Sequence, residues 1–175
     1  MKYTFRSLLC LLMAFVLTLS FAACDGGKWR TDLTAADVSG RVTAALNAPD
    51  GWRQVSDGFI SASAWGEDYA DYLEKVTEYR ILVSENSDMN IDEVGIFRCK
   101  SEKDAKAVGQ FAENYLATKK LQLAPQLESY NPAELPKLDY ATVNVMGCYV
   151  LYTILDSANT TAAGSALEKA LTPAA

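Results

Sequence analysis

The most prominent feature of the hydrophobic pattern is a run from Leu8 to Ala23 that carries no charge and has only Thr18 and Ser20 as polar side chains. Beyond it the pattern breaks into shorter pieces. T-A-A-D at 34–37 places an acid three residues after a Thr, and Val38, Val42, Ala45 and Leu46 follow near one face, so a capped helix is predicted from Thr34. Residues 48–64 are punctuated by Pro49, Gly51 and Gly58 and read as loop with room for a helical turn. G-E-D-Y-A-D-Y-L-E-K-V at 66–76 predicts a short helix with acids in its first turn and Tyr69, Tyr72, Leu73 and Val76 on its buried side.

Two runs rich in β-branched and aromatic residues follow, T-E-Y-R-I-L-V-S at 77–84 and D-E-V-G-I-F-R-C at 92–99, joined by a polar hairpin connection, E-N-S-D-M-N. S-E-K-D then caps a long helix predicted from Glu102 to about Leu123, with Ala105, Val108, Phe111, Ala112, Tyr115 and Leu116 at helical spacing. Pro125, Pro132 and Pro136 are expected to break the chain into loop and short turns. A second strand pair lies in D-Y-A-T-V-N-V and C-Y-V-L-Y-T-I-L, with a tight turn at Met146-Gly147, and a last helix is predicted over Ser157–Leu171.

Hairpins rather than crossovers imply an antiparallel sheet, and the alternation of Ala141, Val143 and Val145 implies helices over one side. The expected fold class is α+β: a four-stranded antiparallel sheet built from two hairpins, with helices packed on one face. C-Y-V-L-Y-T-I-L is apolar on both faces and is expected to be central. Antiparallel to D-E-V-G-I-F-R-C, it would bring Cys99 near Cys148.

The N-terminal run changes the picture of where this domain resides. Lys2 and Arg6 precede it, no acid occurs before Asp25, and small residues follow it, which is the order of a secretory leader. At 16 residues it is short of the roughly 20 needed to span a bilayer, so a permanent transmembrane anchor is the weaker alternative. F-A-A-C at 21–24 resembles a lipobox, the site at which bacterial lipoprotein precursors are lipidated and cut. Phe21 stands where that pattern usually has Leu. The expected organisation is a signal peptide at 1–23, a lipidated N-terminus and tether at 24–33 that begins with Cys24, and a single α+β domain at 34–175. A diacylglyceryl group brings two acyl chains, enough for stable anchoring where one chain is marginal. The competing interpretation is an ordinary secretory peptide cut after Ala22 or Ala23.

Composition then removes whole classes of chemistry. Without the leader, 14 cations remain against 22 acids, a net charge of −8, which repels nucleic acid and anionic lipid. No nucleic-acid partner is therefore expected, and the membrane link would be covalent. The chain has no histidine, which excludes Ser-His-Asp and Cys-His catalysis and His-containing zinc sites. Cys10 leaves with the leader, so Cys99 and Cys148 remain as an even pair that could bridge or stay as buried thiols.

A cysteine-terminated leader, D-E-V-G-I-F opening a strand before a long helix, Tyr130, and V-N-V-M-G-C-Y-V-L-Y-T-I before a closing helix together resemble a group of short lipoproteins of Gram-positive bacteria, an uncharacterised family with a domain of unknown function. The resemblance implies location and architecture, and carries over no activity, cofactor or active site.

Two constellations could hold chemistry. Asn86, Asp88, Asn90 and Asp92 offer oxygen ligands, but an EF-hand loop needs Gly and Glu where Ile91 and Phe97 stand, so a polar turn is expected and no metal. Asp92 and Glu93, adjacent on a strand, point to opposite faces. Trp65, Asp68, Asp71 and Tyr72 form the candidate ligand face, since aromatic plates flanked by carboxylates suit a sugar groove or a two-carboxylate glycosidase. The same letters also describe an amphipathic helix with aromatic core contacts. No nucleophile elbow, phosphate loop or C-x-x-C pair occurs. The expected function is that of a membrane-anchored, non-catalytic binding or accessory module of the cell envelope, not an enzyme and without cofactor, its partner an envelope protein or glycan. The alternative is a carboxylate-dependent glycan-binding or glycan-processing protein.

Overall fold

The computed structural model describes residues 28–48, 51–55, 58–86 and 90–173. The leader, Cys10 and Cys24 lie outside them, as does Asp88. Five antiparallel strands form one open sheet in the order β1-β2-β3-β5-β4: β1 Trp52–Gln54, β2 Val76–Ser84, β3 Glu93–Cys99, β4 Thr142–Met146 and β5 Tyr149–Ile154. The helices are α1 Ala35–Thr43, α2 Ala62–Trp65, α3 Tyr69–Leu73, α4 Glu102–Tyr130, α5 Leu135–Asp139 and α6 Ser157–Leu171.

Local chemistry starts these helices where the sequence predicts. Thr34 and Asp37 make a reciprocal capping box at α1, Ser101 accepts from the Asp104 N–H at α4, and Asp156 accepts from the Asn159 N–H at α6. The β4–β5 connection is two residues long, with Gly147 at φ +56, a conformation that favours glycine. The predicted antiparallel pairing of β5 with β3 holds, and the Cys99 N–H donates to the Cys148 carbonyl at 2.8 Å. No Cys99–Cys148 bridge forms, however: Cys99 is a free, buried thiol. Burial, with Asp104 nearby, pushes the Cys99 thiol up to about 12, which makes it unreactive.

The sheet has five strands, not four. The extra one, β1, is only W-R-Q and follows Gly51 at φ +75, too short for alternation to be visible. Helices cover both faces, not one. Phe97, Cys99, Val150, Tyr152 and Ile154 pack under α4, whereas Val94, Ile96, Tyr149 and Leu151 pack under α1 and α6. A strand apolar on both sides, such as β5, requires cover on both sides, so its composition already contained this answer. The short helix ends at Leu73, and Val76 opens β2 instead.

Pro125 lies inside α4 and does not end it. Proline removes one helical hydrogen bond at a cost of about 3 kcal/mol, yet Leu127 is buried on the far side of it and Leu123 and Ala124 pack on the core. Continued burial of this face carries the helix through to Tyr130.

Within the expected tether, residues 30–33 are bonded into the domain, and 24–27 lie outside the described residues. The Arg30 N–H donates to the Leu171 carbonyl at 2.7 Å, Arg98 donates to the Thr31 carbonyl at 2.9 Å, and the Tyr149 hydroxyl donates to the Leu33 carbonyl at 2.7 Å. Glu78, paired with Arg98 at 2.6 Å, accepts from the Ala35 N–H at 3.0 Å. Four elements, α6, β3, β5 and β2, thus clamp a strap that runs from Arg30 into α1.

Gly95 is the tightest point of the sheet. It pairs with Tyr152, whose ring lies across it so closely that a Cβ would sit 1.9 Å from Cε1. Gly95→Ala is therefore expected to cost about 3 kcal/mol or more in urea unfolding, at the upper end of overpacking losses. Unchanged stability would mean that the Tyr152 ring can move aside.

Candidate functional site

The polar centre of the molecule is Glu93 at the start of β3, where its residue is 1% exposed. Glu93, Gly95, Phe97 and Cys99 alternate onto the α4 side of the sheet. Because Gly95 has no side chain, the Tyr152 ring from β5 crosses it and its hydroxyl donates to Glu93 Oε1 at 2.7 Å. The buried face of α4 supplies Tyr115, whose hydroxyl donates to the same oxygen at 2.8 Å, and one turn later Lys119, which pairs with Glu93 Oε2 and donates to the Tyr115 hydroxyl at 2.8 Å. Both carboxylate oxygens are thereby satisfied in the core, as a buried charge requires.

Trp65 closes this cluster. Its indole stacks on Tyr115 with centroids 3.7 Å apart and meets Tyr152 edge-on at 5.4 Å. Burial, reinforced by the neighbouring Glu93 charge, raises the phenol of Tyr115 and that of Tyr152 well above the usual tyrosine range. Neither is poised as a general base near neutral pH. A second set of acids lies beside the first. Lys137 on α5 binds Asp92 at 2.7 Å, Glu134 at 2.8 Å and the Asn90 side-chain oxygen at 3.0 Å. Burial opposes the Lys137 charge, but the hydrogen bonds it donates to Asp92 and Glu134 outweigh this and raise its pKa. Asp92 and Glu93 therefore have separate cations, Asp92 Oδ1 pairs with Lys137, and the Asn90 side-chain oxygen accepts from Lys137 and from the Asp92 N–H.

The candidate ligand face is only partly assembled. Trp65, Asp68 and Tyr72 line a cleft of about 320 Å³ with Glu67, Phe111 and Asn114, while Asp71 is exposed outside it. Trp65 is 5% exposed and Tyr72 stacks on Phe111 at 4.3 Å, so these rings are engaged with other rings and do not offer a free platform. A second groove, of about 630 Å³, runs between α1 and α6 over an alanine floor with Arg41 and Lys169 at its sides. Among the described residues no helix is long and apolar enough to cross a membrane.

Sequence patterns single out neither Lys119 nor Tyr152 and treat Tyr115 only as a core residue. The available signal was weak: a Tyr and a Lys four residues apart on one side of a helix, and an acid two residues before a glycine in an otherwise apolar strand.

These features define an α+β domain with an open antiparallel sheet whose central acid is held inside the core. Residues 69–155 match the family described as Domain of unknown function (DUF4358). That stretch contains Glu93, Gly95, Tyr115, Lys119 and Tyr152 together, and leaves out Trp65, Asp68, the strap and α6. No curated protein and no solved structure matches the chain.

Removing the acid leaves two buried hydroxyls and an ammonium without their shared acceptor. Glu93→Ala is expected to lose about 3–5 kcal/mol of stability, against roughly 1 kcal/mol for Tyr152→Phe, measured by urea unfolding. A loss below that of Tyr152→Phe would contradict the central role of Glu93. The tyrosines add a pH signature. Their folded pKa values lie above the unfolded value near 10, so the stability they contribute is complete below about pH 10 and is lost as pH rises beyond it. Wild type should release a phenolate step together with alkaline unfolding, and Tyr115→Phe should reduce that step. Ionisation of all tyrosines before unfolding would overturn the assignment.

Proposed function

We propose that this protein is a lipid-anchored extracytoplasmic module of the cell envelope that binds a partner and has no catalytic activity of its own. The anchor is inferred from F-A-A-C at 21–24 after a basic, then apolar leader. The main support for a binding role is the fate of the acids. Glu93 holds two strands and α4 together through Lys119 and two tyrosines, and Asp92 and Glu134 hold α5 by sharing Lys137. Carboxylates fixed in this way serve architecture, and a working acid-base pair would instead face a cavity where substrate could reach it. Among the described residues the most exposed large apolar side chains are Leu121 at 79% and Tyr130 at 89%, both on the C-terminal half of α4 and nine residues apart, on opposite sides of the helix. A partner of mixed apolar and basic character that grips this end of α4 suits these two side chains, because the chain as a whole is acidic.

The cleft beside Trp65 favours a second interpretation, a glycan site built on Trp65, Asp68 and Tyr72. Stacking of those rings against Tyr115 and Phe111 weighs against it, since a sugar needs an open aromatic face. Titration with soluble cell-wall saccharides should leave tryptophan fluorescence unchanged. Saturable quenching abolished by Asp68→Asn would establish the glycan site instead.

For the leading proposal, crosslinking and co-purification of the full-length protein from native membranes should recover a specific partner. That partner should be lost when Cys24→Ala releases the protein from the membrane, and reduced by Leu121→Ser with Tyr130→Ser in the anchored protein. An anchored wild type that recovers nothing reproducible would refute the binding role.

A further inference from the structure

The strap turns anchoring into a statement about orientation. Trp29 lies on the β4–β5 turn, where a Cβ at Gly147 would come within 3.2 Å of it, and the next residue is bonded to the last turn of α6. Only residues 25–28 separate Cys24 from Trp29. Fully extended, the five steps between those two α-carbons reach at most about 18 Å. A folded domain attached by so short a chain has little freedom to tumble over the surface that holds it.

The end of the fold to which this chain leads is identified by contacts. Cys99 bonds to Cys148 beside the β4–β5 turn, α4 begins three residues after Cys99, and α6 ends against Arg30. From that end α4 passes Glu93, at the opposite end of β3, and continues to Tyr130. Its 29 residues correspond to about 43 Å of rise.

We propose that the end of the fold formed by Lys28, Trp29, the β4–β5 turn and the C-terminal turn of α6 is apposed to the lipid bilayer, so that the C-terminal end of α4 stands farthest from it. This rests on Cys24 carrying the lipid. Residue types at the apposed end are compatible with a headgroup layer: Trp29 is half-buried with an amphipathic ring, the Lys28 ammonium lies 4.5 Å from its centroid, and Lys169 is exposed on the last turn of α6. Orientation comes from the length of the tether, and the end of α4 that carries Leu121 and Tyr130 is thereby held out toward the envelope.

Energy transfer to labelled lipid tests this directly. Full-length protein, produced with its leader, would carry a donor at Lys169→Cys or at Tyr130→Cys and be reconstituted in phosphatidylcholine–phosphatidylglycerol vesicles with headgroup-labelled acceptor. Cys99 and Cys148 are buried and should not react. Transfer from position 169 should exceed that from position 130 by roughly three-fold or more, given about 40 Å between the ends. Inserting a long Gly-Ser segment after Gly27 should bring the two values together. Protein that does not stay with the vesicles, or stays equally well as Cys24→Ala, removes the anchor and the orientation with it. Firmly anchored protein with equal transfer from both sites, or with a difference that survives the insertion, leaves the anchor standing and overturns tether-set orientation.

Discussion

A carboxylate buried at the start of the central strand is the constraint from which the rest of this domain follows. Glu93 cannot remain charged in an apolar interior without donors on both oxygens, and the fold provides them from two directions. β5 contributes the Tyr152 hydroxyl, which reaches Glu93 only because Gly95 lets the ring pass, and α4 contributes Tyr115 and Lys119 one turn apart. Strand register, the position of α4 over the sheet and the identity of residue 95 are thus coupled through one acid. Trp65 stacked on Tyr115 seals the arrangement and ties the short helix α2 to the same centre.

On the opposite face of the sheet a second ionic pair serves a different purpose. Arg98 and Glu78 together bond the backbone of the strap at Thr31 and Ala35. Tyr149 adds a third bond at Leu33. One layer of helix is therefore fixed to the sheet by a buried acid, and the N-terminal segment by a half-exposed pair. The bonded framework of the domain reaches Arg30, with Trp29 packed on the β4–β5 turn, and this gives an anchor at Cys24 consequences for geometry as well as for location.

Much of this was legible in the sequence because it depends on local chemistry. The capped helix starts at Thr34, Ser101 and Asp156, the turn at Gly147 and the two hairpins follow from side chains within a few positions of one another. Placement of β5 beside β3 was also legible, from apolar residues on both faces of C-Y-V-L-Y-T-I-L. What escaped was settled by tertiary contacts. β1 exists because β2 offers an edge, and Pro125 remains helical because Leu127 has a core to enter. Trp29 to Leu33 look like a polar linker until the acceptors and donors of β2, β3, β5 and α6 are in place. The candidate ligand face is only partly assembled for the same reason: Trp65 and Tyr72 look like a binding platform in one dimension, but Tyr115 and Phe111 pack on their rings in three. The Glu93 cluster was least visible, since its members are separated by up to 59 positions and none has an unusual neighbour.

Anchoring and orientation both depend on the chemistry at Cys24, and intact mass analysis of protein extracted from its native membrane reads that chemistry directly. A mature chain that begins at Cys24 and carries a thioether-linked diacylglyceryl group is the predicted result. A chain cut at another position, or one in which Cys24 is a thiol or joined in a disulfide, would contradict it.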